Sequence, residues 1–183
     1  DVEETVRKLI EKVKRVLERL EEEHKRLSDD SRRVVKKLKD DVEDLIRRVE
    51  EVLKELERRV KDEKTLKDIR KKIEELIREL REVAKRLEDN AREDDKENRE
   101  VLKRVREEIR RLIEKLKDMM RVEDRKAVDE VRKEVDRRLE ELKRDSERVV
   151  KKSEENLRRL EEEVRKVEEK VRRTLKRLKE EAK

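Results

Sequence analysis

Valine, leucine and isoleucine recur along this chain at alternating steps of three and four residues, and the pattern of steps itself repeats every 18 residues. Eighteen residues make five turns at about 3.6 residues per turn, so the apolar stripe runs straight along a helix rather than drifting as a heptad seam does. In the first third the inward positions include Val6, Leu9, Val13, Val16, Leu20, His24, Leu27, Ser31, Val34, Leu38 and Val42. The second third continues with Ile69, Ile73, Leu76, Leu80, Ala84, Leu87, Ala91, Asp94, Asn98, Leu102 and Val105, and the last with Val128, Val131, Val135, Leu139, Leu142, Ser146, Val149 and Ser153. Phase is lost only around KDEKT at 61–65 and RVEDRK at 121–126. These stretches are expected to be loops, with Thr65 as an N-cap.

The pattern predicts an all-α fold: a straight, untwisted up-down-up three-helix bundle of very long helices, forming a single elongated domain over 1–183. Helix 1 is expected at about 2–60, helix 2 at about 65–120 and helix 3 at about 126–182. Each helix would be roughly 85–90 Å long at 1.5 Å per residue. Short connections make neighbours antiparallel. The register then checks itself: Val6 faces Leu116 and Val128, and Val13 faces Ile109 and Val135, so helix 3 follows helix 1 at an offset of 122 or 123 residues.

Composition supports the helical reading. The chain has no Gly, Pro, Cys or aromatic residue and no Gln, while 63% of its residues are charged and 31% are hydrophobic. Without Gly or Pro the usual punctuation of sheets, hairpins and phosphate-cradling loops is missing, and Glu, Lys, Arg and Leu favour helix. No apolar run reaches membrane-spanning length, and DVEETVRKLI lacks the features of a secretion signal, so a soluble protein with no membrane partner is expected. The 61 basic and 55 acidic residues, net +6, are interleaved along the sequence. No dense basic stripe is expected from that, and with no aromatics for stacking, nucleic acid is not an expected partner.

The restricted alphabet, the 18-residue blocks and the equal helix lengths resemble those of de novo designed, parametrically generated single-chain three-helix bundles, over the whole length. The resemblance implies a chain with no evolved substrate or partner. Spectrin-type repeats, the natural comparison, carry aromatic core positions that have no counterpart here.

One stretch breaks the uniformity. His24, Ser28 and Ser31 stand where the neighbouring 18-residue copies place Val6, Ile10 and Val13, and Val42, Ile46 and Val49. All four serines (28, 31, 146, 153), all three asparagines (90, 98, 156) and the only histidine fall near the middle of their helices, which the antiparallel register brings to one level. Stacked by layer, His24 meets Asn98 and Ser146. Leu27 and Ser28 meet Asp94, Asp95 and Val149, and Ser31 meets Ala91 and Ser153. The centre of the core is thus expected to be polar.

Three functions compete for that centre. A buried hydrogen-bond network penalises misregistered pairings, because a shifted helix strands polar groups against Leu and Val. This makes the protein a rigid, monomeric, non-enzymatic scaffold whose centre serves specificity. Alternatively the small residues Ser31, Ala91 and Ser153 open a polar-lined cavity for a small molecule, with Asp94 and Asp95 favouring a cationic or water-bridged ligand. Third, Ser, His and Asp together suggest an activated serine, but continuous helices offer no free N–H groups for an oxyanion hole, so no catalytic residue is assigned. Glu21 and His24 form a single E-x-x-H, too thin a set for a metal, and no cofactor is expected. Met119 and Met120 close the stripe as gap-fillers at a bundle end.

Overall fold

The computed structural model describes all residues, 1–183, and contains three helices and no strand. Helix α1 spans Val2–Arg59, α2 Glu63–Met119 and α3 Arg125–Glu181, of 58, 57 and 57 residues. The three pack against one another as an all-α three-helix bundle. Each is longer than nearly all helices of globular proteins, and nothing interrupts it, because the sequence offers no Pro to remove an amide donor and no Gly to loosen the backbone.

The helix starts differ from expectation at one point. Thr65 lies inside α2, and Asp62 caps it: Asp62 Oδ1 accepts the Lys64 amide at 3.3 Å, and Oδ2 accepts the Thr65 hydroxyl at 2.7 Å. Asp1 and Asp124 stand at the same place before α1 and α3, accepting the amides of Glu3 at 3.4 Å and Lys126 at 3.0 Å. An aspartate therefore opens every helix, satisfying an amide that has no partner within the helix and placing a negative charge at the positive end of its dipole.

Contacts group the chain into two compact units. The first comprises Asp1–Asp30 and Glu93–Glu154, the second Ser31–Arg92 and Glu155–Lys183. In the first, Val6, Val13, Ile109, Leu116, Val128 and Val135 belong to one core cluster, in keeping with the layers read from the register. Its cross-helix pairs Glu21–Arg106 and Ser28–Asp95 between α1 and α2, and Lys115–Glu134 and Glu97–Lys152 between α2 and α3, rise in number on one helix as they fall on the other, which fixes antiparallel neighbours. In the second unit Val42, Val49, Leu56, Ile69, Ile73, Leu80 and Val164 form the core. Glu57–Arg70 and Lys39–Glu88 show the same antiparallel sense between α1 and α2, and Glu79–Lys170 with Arg86–Glu163 between α2 and α3.

The buried stripe is wider than the one-position line drawn from spacing. Val35, Val83 and Val101 are buried while their neighbours Val34, Ala84 and Leu102 are half-buried, and Ile10 is buried beside Leu9. A helix touching two partners buries an arc of about 100° or more, so positions flanking the line are covered too.

Candidate functional site

The first unit holds the polar centre. His24 on α1 occupies the slot that Val6 fills 18 residues earlier, and its layer is completed by Asn98 from α2 and Ser146 from α3. Imidazole is only slightly larger than the valine it replaces, while Asn98 and Ser146 are both clearly smaller than Leu116 and Val128 in the corresponding apolar layer. This layer therefore holds less side-chain volume than its apolar counterpart and is joined by hydrogen bonds instead.

His24 and Ser146 are 0% exposed and Asn98 8%. At such depth each polar atom needs a partner, since an unmatched one costs its full desolvation. The three supply one another. His24 Nδ1 bonds Asn98 Oδ1, His24 Nε2 lies 2.6 Å from Ser146 Oγ, and Asn98 Nδ2 donates to the His24 carbonyl oxygen at 3.1 Å. No buried side-chain nitrogen or oxygen is left without a partner. The 122-residue separation of His24 and Ser146 is the register offset read from the apolar layers, so polar and apolar positions share one alignment.

Of the other residues expected at the centre, Ser28, Ala91, Asp94 and Asp95 are less enclosed, while Ser31 and Ser153 are buried. Ser28 is half-buried and donates to Asp95 Oδ1 at 3.3 Å. Asp95 also pairs with Arg99 at 3.0 Å and keeps 29% of its side chain exposed, so it sits at the flank of the helix and its charge remains hydrated. Asp94 is half-buried. Ser153 is buried within the first unit. Ser31, buried, and Ala91, half-buried against the apolar cluster, belong to the second. Hydrogen bonds join His24, Asn98 and Ser146 into one set and Ser28 to Asp95.

Charge placement adds a feature the linear sequence hid. Lys8, Lys12, Arg15 and Arg19, spaced by four, three and four, share one side of α1 and line a surface groove of about 590 Å³ with Val16 and Lys143. Interleaving along the sequence does not prevent like charges from stacking on one helix face, because neighbours on that face are three or four residues apart. Acids answer part of this row: Lys12 meets Asp136 at 3.0 Å and Arg15 meets Glu11 at 3.7 Å. A second groove, of about 510 Å³ between α1 and α3 in the other unit, has Leu45, Val52, Val171 and Leu175 as its floor. All four are buried, so little apolar surface is offered to a ligand there.

Titration behaviour is altered at three surface carboxylates, of which Glu134 is half-buried. The Thr65 hydroxyl and the Lys64 amide hold Asp62 below the ordinary aspartate value. Hydrogen bonds and charge from Lys39 and from Lys115 do the same for Glu88 and Glu134 respectively. No group of three or more His, Cys, Asp or Glu side chains is placed to hold a metal ion, and no helix is long and apolar enough to cross a membrane.

The chain matches no protein-family model, no curated protein and no solved structure.

Proposed function

We propose that this protein is a designed, non-enzymatic and monomeric scaffold, in which the set His24–Asn98–Ser146 serves to make one pairing of the three helices better than all others. The observation that carries the reading is reciprocal satisfaction. Three buried polar side chains, one from each helix, meet only each other and a backbone carbonyl. An apolar stripe repeating every 18 residues fits itself equally well after a slip of one repeat, since Val6 and Val42 then exchange places with His24 at no cost in pattern. With the polar set in place such a slip would bury imidazole against Leu and Val with no partner, at a penalty of roughly 1–3 kcal/mol for each stranded group.

The regular 18-residue copies and the restricted alphabet support design as the origin. A pocket for a small molecule finds less support, because the polar groups of the His24 layer are bonded to one another and the grooves described lie elsewhere on the surface. An esterase-like reading meets the same obstacle. Ser146 and His24 are sealed, and the surrounding amides are spent within helices.

The experiment is the triple variant His24→Val, Asn98→Leu and Ser146→Val, which copies the apolar layers. It should fold and withstand at least as much denaturant as the parent, since well-packed apolar groups replace buried polar ones without loss. It should also lose uniqueness, showing associated species by light scattering. A variant that stays monodisperse with an unchanged structure would remove the specificity role.

A further inference from the structure

We propose that Asn98 is the positioning residue of the buried set: it holds the neutral His24 ring in the Nδ1–H tautomer, leaving Nε2 as a bare lone pair that accepts the Ser146 hydroxyl proton. The same three residues carry the scaffold reading, but the test here reads ring nitrogens rather than stability or association, so either can fail alone.

The Asn98 amide sets the direction of every bond. Its Nδ2 lies 3.1 Å from the His24 carbonyl oxygen, a pure acceptor, and so must be the nitrogen. Turning the amide over would set Oδ1 against that carbonyl, two acceptors face to face in a site closed to water, and would aim an N–H at the ring as well. The amide oxygen therefore faces His24 Nδ1. An amide oxygen only accepts, so Nδ1 must carry a hydrogen in either charge state of the ring. When the ring is neutral the other nitrogen carries none. Ser146 Oγ, 2.6 Å from Nε2, is then the only group of that pair with a hydrogen to give. Turning the ring over would replace both nitrogens by carbons and break both bonds.

The resulting chain of donors has one direction: Ser146 hydroxyl to His24 Nε2, His24 Nδ1 to Asn98 Oδ1, Asn98 Nδ2 to the His24 carbonyl. The Nδ1–H form is the less populated tautomer of a free histidine in water, so the site selects against the ring's own preference. The arrangement is also the one in which a serine hydroxyl is held by a base whose other nitrogen is anchored. Ser146 is thus the hydroxyl in this chain held by an imidazole, although it is closed off from solvent.

Because the chain contains one histidine, nitrogen-15 NMR of the labelled full-length protein shows two ring nitrogens with no ambiguity of residue. At a pH above the point where their shifts stop moving, Nδ1 should resonate as a protonated, pyrrole-type nitrogen and Nε2 as an unprotonated, pyridine-type one, the two told apart by their couplings to the ring protons. Asn98→Leu removes the acceptor, and the proton should move to Nε2, where Ser146 Oγ accepts it. Ser146→Ala leaves the acceptor in place and should keep the proton on Nδ1. A parent protein with its proton on Nε2, or with averaged shifts, overturns the proposal. So does an Asn98→Leu variant with an unchanged pattern, or a Ser146→Ala variant that loses the Nδ1 proton. Should Asn98→Leu not fold, the parent and the Ser146→Ala variant decide alone.

Discussion

At His24 a single ring stands where the repeat calls for valine, and its worth depends on what remains when a partner is taken away. Asn98→Leu leaves His24 Nδ1 and the His24 carbonyl short of one bond each in a site 0% exposed at the ring, at a cost of about 1–3 kcal/mol for a stranded group. Urea unfolding followed by circular dichroism should place its midpoint below that of both the parent and the triple apolar variant. A single variant as stable as the parent would show that water reaches these groups. His24, Asn98 and Ser146 are legible in the amino-acid sequence because a strict repeat makes every departure visible, and because one offset aligns them. Ser28 and Asp95 are legible as polar and as neighbours in one layer, but not as half-exposed. Their half-exposed pairing, with Arg99 turned toward Asp95, depends on where on the helix circumference they sit, and an inward line drawn by steps of three and four does not resolve that.

Helix ends carry information that periodicity does not. The apolar stripe places α1, α2 and α3 within a few residues, yet the expected start of α2 at Thr65 falls inside the helix, because a line of inward positions does not tell which polar residue of the loop caps it. Asp62 wins since its carboxylate accepts a backbone amide and its neighbour's hydroxyl together, and Thr65 serves as the donor. The sign of the linkage follows from its lowered folded value. A carboxyl held below its unfolded value adds stability that is fully present above the ordinary carboxylate range and is lost as pH falls through the folded value. Asp62→Ala should therefore melt below the parent at neutral pH, with the gap in melting temperature closing as the solution is acidified. Thr65→Val should raise the Asp62 titration midpoint, read from its side-chain carboxyl carbon by NMR. A gap that widens in acid would mean that Asp62 does not act through its charge. Lys115→Met should likewise raise the titration midpoint of Glu134, whose carboxyl Lys115 holds down by a 2.7 Å bond and by charge.

For the whole molecule the charges, although most numerous, are the weaker determinant. The ion pairs join exposed side chains, such as Lys12 with Asp136 and Lys152 with Glu97, and exposed pairs contribute between nothing and about 1 kcal/mol each while being screened by salt. Packing decides stability, and it is divided: Ile109 lies in the core cluster of the first unit and Ile73 in that of the second, each 0% exposed. Replacing either by alanine should cost about 2–5 kcal/mol, the range for emptying a well-packed site. Where that cost is felt tests how the chain unfolds. The helices run through both units without a break, so hydrogen bonding along them favours one cooperative transition, whereas the two apolar clusters are assembled from different residues and favour two. Nucleating and holding a helix in water depends mostly on its packed face rather than on propensity, so packing should prevail. Native-state hydrogen exchange of Ile109→Ala should therefore speed the amides of Val13, Leu112 and Leu139 far more than those of Leu56, Leu80 and Val171, and Ile73→Ala should reverse the order. Equal acceleration at all six sites in both variants would show that the helical backbone, not the division of the core, sets the size of the unfolding unit.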